Sequence, residues 1–309
     1  MPDRVGEKPG PARGRASTRR PRVASREIRA LASLLGDDDE KIVAMVWDNL
    51  LRIGPRALPH LRALGEDADP RTRLRARHVT MRIQAHLLER RFRRLAARRE
   101  GEFDLETGLT LVAQIEYPQL RRAAVEQMLD ELADGLRPSL SPRLSPRQRV
   151  AALNRYLFQD LKLRGDRDRY QDPDNSFIHR VIERRRGIPV SLAALMILVG
   201  RRLDMPLYGV SLPKNFLVRY RDQNEEIFVD PFGEGRILSR EECARILTSE
   251  GYYVRKSFVS DFLSTASARD MVIRMLRNLI LTYSKLQDRA RVRRLIRYVD
   301  ILRSRERAR

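Results

Sequence analysis

Few residues in this chain are equipped for nucleophilic or metal chemistry. A single cysteine, Cys243, lies inside SREECARIL (239–247), where helical spacing favours a small packing side chain over a nucleophile. One cysteine excludes an internal disulfide and any cysteine-rich zinc site. The four histidines, His60, His78, His86 and His179, are too scattered to form a ligand cluster. No metal and no cofactor is therefore expected, and no GxxxxGK[ST] or GxGxxG loop cradles a phosphate. Ser191 stands apart. It is the only polar side chain between Val190 and Val199, just after Gly187 and Pro189, a pair that punctuates a helix start. Free N–H groups and the helix dipole favour a developing anion there, and thiol enzymes put a nucleophile in such a position. A serine hydroxyl needs an adjacent base to take its proton, and a serine at a helix start is more often a cap.

The element that carries Ser191 is RRRGIPVSLAALMILVGRRL (184–203). A helix apolar on every side must be buried on every side. Its uncharged stretch, Ile188 to Gly200, falls well short of the ~20 residues of a membrane span, and arginines pin both ends. It is a central core helix, and no membrane contact is expected. Beyond it the period changes from 3.6 to 2. LYGVSL, NFLVRYR and EEIFVD read as three short strands, the second and third joined by the polar turn RDQNEE. They predict a small antiparallel sheet against which helix 190–203 packs. SREECARIL follows as a helix with Ser239 at its N-cap and Glu242 three residues on, a capping box.

The flanks are helical. Leu31, Leu34 and Leu35 form one apolar stripe, and Ile42, Val43, Val46, Trp47, Leu50 and Leu51 a second, ended by Gly54-Pro55. Acidic breaks at Asp39 and Asp69 stand 30 residues apart, the period of two degenerate HEAT-type repeats. Leu88 to Arg99 reads as a basic helix, and 103–136 as two helices parted at Tyr117-Pro118. PSLSPRLSP (138–146) is a linker, Val150 to Leu161 an amphipathic helix, and RGDRDRYQDPDN (164–175) a polar loop. Ser176 then caps a helix running through Arg186. Arg269 to Arg303 predicts a helical hairpin resembling a single TPR-like unit. Met271, Met275, Leu276, Leu279, Ile280 and Tyr283 line its first helix, and Val292, Leu295, Ile296, Val299 and Leu302 its second.

The formal net charge is +21, and 62 residues are Lys or Arg. Residues 1–26, with seven arginines and almost nothing apolar, have the composition of a disordered basic tail. Charge alone supports nonspecific polyanion contact, nucleic acid included, but no aromatic-rich basic strand or reader module accompanies it. No secretory h-region follows the start, so a cytoplasmic protein is expected.

Several blocks together resemble the SirB-type transglutaminase-like family of bacterial proteins, also found as a domain in some F-box proteins. They are QIEYP (114–118), LNRYLF (153–158), LKLRGDRDRYQDPDNSFIHRVIERRRGIPVSLAAL (161–195), GVSLPKNFLVRY (209–220) and FVDPFGEGRILSREECARIL (228–247). The resemblance implies a papain-like/transglutaminase core, with a nucleophile at a helix N-terminus and His and Asp on adjacent strands. Carried over by position, the nucleophile is Ser191, the base position is Asn215, where a GHFLVRY-like block usually holds His, and the orienting acid is Asp230. An amide cannot take a proton near neutral pH, so Asn215 cannot be that base; a hydrogen bond from Asn215 to Asp230 would keep the architecture without the reaction.

The expected fold is thus α+β and mostly helical: a transglutaminase-like core flanked by helical repeats. The expected divisions are a tail at 1–27, HEAT-like helices at 28–100, the core at 101–265 and a TPR-like hairpin at 266–309. The expected role is a catalytically inactive interaction or regulatory module with a protein partner. A residual amide or acyl hydrolase or transferase using Ser191 is the alternative, and arginine-driven nucleic-acid binding the third reading. The expected contact surface is the remnant cleft, with Tyr170, Asp172, Asn175 and Lys214 at its rim.

Overall fold

The computed structural model describes residues 24–67, 69–249 and 263–304; most of the basic tail expected at the start lies outside them. The chain divides into two compact units between Ile83 and Gln84. In the first, helices α1 (Ser25–Ser33), α2 (Glu40–Ile53), α3 (Leu58–Asp67) and the start of α4 (Pro70–Ala96) bury Ile28, Leu35, Val46, Leu50, Leu61 and Val79. Both acidic breaks are helix caps. Asp39 accepts from Lys41 N at 2.8 Å, and Asp69 accepts from Arg71 N at 2.9 Å, each satisfying an N–H that the first turn leaves without a partner. The basic helix read from Leu88 onward is the end of one 27-residue helix, α4, since no glycine or proline interrupts 71–96.

The second unit is built around α9 (Pro189–Arg202), in which every residue from Pro189 to Gly200 is buried. It packs on a five-stranded antiparallel sheet ordered β6-β5-β4-β3-β7, with β3 Leu207–Leu212, β4 Asn215–Arg221, β5 Glu226–Asp230, β6 Arg236–Leu238 and β7 Thr265–Ala266. The three strands read from the sequence form its centre. The two added edge strands span only three and two residues, too short for alternation to register. Gly200 lets α9 approach closely, because a Cβ there would sit 2.3 Å from Leu207 Cδ1.

Alternation along the strands sorts the sheet into two faces. Phe216, Val218, Tyr220, Ile227 and Val229 join the core cluster that holds α9. Val210, Leu212, Leu217, Phe228 and Leu238 face the other way and pack with Cys243 and Leu247 of α10 (Arg240–Ser249). The Ser239–Glu242 capping box is present, with Ser239 N donating to Glu242 Oε2 at 2.8 Å and Glu242 N to Ser239 Oγ at 3.2 Å. The remaining helices, α5 (Leu105–Ala113), α6 (Arg122–Leu136), α7 (Pro146–Asn154) and α8 (Ile178–Arg184), precede α9. The hairpin α11 (Ala268–Lys285) and α12 (Arg289–Arg303) follows the sheet. On α12, Ile296 is exposed, whereas Tyr298 and Ile301 are buried. No helix among the described residues is long and apolar enough to cross a membrane.

Candidate functional site

Ser191 sits in the first turn of α9, fully buried at 0% exposure. Its Oγ accepts from Ile188 N at 3.0 Å, half of a capping box. Asn175 O lies 2.7 Å from Oγ and Ile188 O 3.0 Å. A hydroxyl has one proton, so it donates to one of these carbonyls, the Asn175 oxygen being nearer. Gly187 makes room for this arrangement, since a Cβ on it would stand 2.6 Å from Ser191 Oγ. A carbonyl oxygen holds a proton in a hydrogen bond but does not remove it, so the hydroxyl is placed as a clamp between the 173–176 turn and the start of α9.

The strand residues carried over from the family lie elsewhere. Asn215 stands opposite Leu212 in the β3–β4 register, on the sheet face that packs with α10 and away from the face α9 covers. Its Oδ1 accepts from Phe216 N at 2.7 Å. Asp230 follows Phe228 and Val229 in alternation and shares the α10 face. There its Oδ1 accepts from Phe232 N at 3.1 Å and Gly233 N at 3.0 Å, and its charge helps raise the Cys243 thiol. Burial is the largest cause of that rise, followed by the Glu242 charge and then Asp230, and together they push the thiol up to about 12, leaving Cys243 a protonated packing residue. The hydrogen bond entertained between Asn215 and Asp230 does not form; both side chains are spent on local backbone.

Of the rim residues, Asn175 is fully buried and is the one brought to Ser191. Its Nδ2 donates to Arg169 O at 2.7 Å, while its Oδ1 has no hydrogen-bond partner. Asp172 caps the 3-10 turn Pro173–Ser176 and pairs with Arg184 at 2.7 Å. Tyr170 is exposed and meets the Phe232 ring edge-on at 6.1 Å, with the Arg167 guanidinium 5.0 Å above the same ring. Lys214 is exposed, in the left-handed conformation at φ 54° of the β3–β4 turn. That is the position where the GHFLVRY-like block has glycine, the residue best suited to positive φ. Ser176 does not cap a helix through Arg186. It ends the 3-10 turn, α8 runs from Ile178 to Arg184, and Arg185 at φ 56° stops it. The chain then forms a two-residue strand, β2 (Arg186–Gly187), parallel to β1 (Arg164–Gly165).

A web of charge around the 173–176 turn was not legible in the sequence. Asp166 is buried at 1% exposure and Arg184 reaches it at 3.8 Å, together with Asp172 and, at 3.5 Å, Asp174. Asp174 also accepts from Tyr117 Oη at 2.6 Å and Arg180 Nε at 3.1 Å. Burial alone would raise the Asp174 carboxyl, but these donors outweigh it and hold the pKa below the ordinary value. Tyr117 is pushed up to about 12, first by burial and then by Asp174. Its ring packs edge-on at 4.5 Å against His179, which is 5% exposed and has no hydrogen-bond partner at Nδ1. The only sequence signal for this web is the density of Asp and Arg in 164–186, which composition alone reads as a solvated loop.

His179 supplies a testable pH dependence. Burial lowers its pKa from the ordinary 6.5, so the folded state prefers the neutral ring. The unfolded chain then binds the proton more readily, and the stability this histidine contributes is present above pH 6.5 and lost as pH falls through it toward the lower folded value. The melting temperature is expected to drop between roughly pH 7 and pH 5, and His179→Gln should flatten that part of the curve. An equal slope in wild type and variant would contradict the assignment.

Comparison with known proteins agrees with this architecture. The family described as "Transglutaminase-like superfamily" matches residues 123–277, half of the chain, including all of α9 and β3 to β6. A UPF0162 protein of Xylella fastidiosa is 36% identical over 184 residues, covering 58% of this chain and 66% of the relative. A UPF0162 protein of Vibrio cholerae is 41% identical over 93 residues, 30% of this chain and 34% of that one. F-box only protein 21 of Homo sapiens is 30% identical over 141 residues, 43% of this chain and 21% of its own length. The chain therefore spans just under two thirds of the Xylella relative and about a fifth of the human one. No solved structure matches. With the matched region carrying the central helix, the sheet and the turn that holds Ser191, the chain belongs to the transglutaminase-like superfamily.

Proposed function

We propose that this chain is a cytoplasmic, SirB-type member of the superfamily that keeps the fold without the reaction and acts by binding another protein. The observation that carries this reading is the state of Ser191. Its Oγ is buried and its proton rests on a main-chain carbonyl, whereas a nucleophile must meet a substrate and surrender its proton to a base. Asn215 in the base position supplies an amide, and its side chain belongs to the opposite face of the sheet. The match to one fifth of F-box only protein 21 supports a module that serves inside larger proteins of different organisation. The flanking helices, HEAT-like before the core and TPR-like after it, would extend the contact surface. Its centre is the exposed ground around Tyr170 and Lys214.

Two measurements test the proposal together. Glutamine-amide and ester substrates are expected to turn over no faster with the protein than in buffer, and Ser191→Ala should leave that background rate unchanged. Capture from nuclease-treated native lysate should yield a protein partner that Asn215→Trp, at the β3–β4 turn beside Lys214, fails to retain. Turnover abolished by Ser191→Ala would instead favour the hydrolase reading.

A further inference from the structure

Away from the central helix, α4, α5 and the start of α6 border an open hollow of about 790 Å3, the size of a small-molecule site (~300–1,000 Å3). Five arginines line it, Arg91, Arg94, Arg98, Arg121 and Arg122, against two acids, Glu102 and Asp104. Several arginines elsewhere in this unit are neutralised individually. Arg180, Arg184, Arg202, Arg240 and Arg291 each lie within 3.1 Å of a carboxylate oxygen. In the hollow only Arg122 has such a neighbour, Asp104, at the longer distance of 3.7 Å. Arg91 donates to the neutral Gln114 amide oxygen at 2.9 Å. Among the described residues, no carboxylate comes within ion-pair distance of Arg94, Arg98 or Arg121. Like charges gathered on a concave, low-dielectric wall repel one another and raise the local concentration of anions.

The floor differs in character. Leu95 and Leu111 line the hollow and are nearly buried, at 6% and 5% exposure. A bare polyanion groove has no use for an apolar floor; a ligand with one anionic end and one apolar or planar part does. Guanidinium forks match phosphate oxygens two at a time, which a point charge cannot do. We infer that this hollow binds a small phosphorylated molecule of nucleotide size, its phosphates held by the arginines and its uncharged part resting on Leu95 and Leu111.

Isothermal titration of the full chain tests this, with ADP as probe at about 150 mM salt. Saturable one-to-one binding is expected, with pyrophosphate competing and adenosine not. Arg98→Ala with Arg121→Ala should weaken ADP by at least about tenfold. Arg155→Ala with Arg245→Ala removes the same charge from exposed positions outside the hollow and should leave binding unchanged. All four side chains are exposed, so both double variants should melt like the wild type. No saturable binding of ADP or pyrophosphate would overturn the inference, as would equal weakening by the two double variants. A uridylate oligonucleotide that binds through Arg98 and Arg121 while ADP does not would overturn it too, and give the hollow to nucleic acid.

Discussion

Ile197→Asp is expected to abolish the cooperative melting of the second unit. Ile197 is 4% exposed in a helix whose every residue from Pro189 to Gly200 is buried, within a cluster of buried apolar side chains. An unpaired carboxylate there would have to be desolvated or protonated, at a cost comparable to the whole stability of a domain. Leu195→Ala, at 1% exposure, removes only volume and should cost about 2–5 kcal/mol, leaving a folded protein with a lower transition. Circular-dichroism melts of the two variants check both statements. A wild-type transition in Ile197→Asp would mean that α9 is not the centre of the core.

The second large effect is expected at Arg269. It is 3% exposed at the start of α11, and its guanidinium ties that start to the C-terminal ends of α4 and α12. Nη1 donates to Leu302 O at 3.0 Å, Nη2 to Arg98 O at 3.0 Å, and both reach Ala96 O at 3.3–3.4 Å. Nε donates to Glu100 at 2.9 Å, and the group lies 4.7 Å over the Phe103 ring. The carbonyls at the ends of α4 and α12 are those that a helix leaves without intrahelical partners. Arg269→Met would leave them buried and unpaired, for a loss of roughly 3–5 kcal/mol. Arg269→Lys should recover little, because one ammonium lacks the planar fork that serves three carbonyls at once. Chemical denaturation gives the comparison; a lysine variant as stable as wild type would show that charge alone suffices.

What the sequence disclosed depended on how local the signal was. Helix α9 was legible because twelve consecutive buried residues leave no polar face to misread. The Ser239–Glu242 capping box was legible because it is settled within three residues. The edge strands Arg236–Leu238 and Thr265–Ala266 were not, since pairing rather than pattern makes them strands. The pairing of Arg164–Gly165 with Arg186–Gly187 joins residues more than twenty apart, and no periodicity carries that. For Ser191, the sequence showed a polar residue at a helix start, but its partner is a carbonyl sixteen residues upstream. Whether a hydroxyl is a clamp or a nucleophile depends on that distant contact. The resemblance named Asn215 and Asp230, yet only the strand register shows which face they occupy.

The central claim, that Ser191 fastens the fold and performs no chemistry, is tested most directly by intact-mass analysis after incubation with a fluorophosphonate probe, which reacts with activated serine hydroxyls. The account predicts an unmodified mass for the wild type, identical to that of Ser191→Ala treated in parallel. The alanine variant should also be less stable by about 1–3 kcal/mol, since Ile188 N would lose its buried acceptor. Stoichiometric addition of the probe to the wild type that Ser191→Ala abolishes would contradict the account.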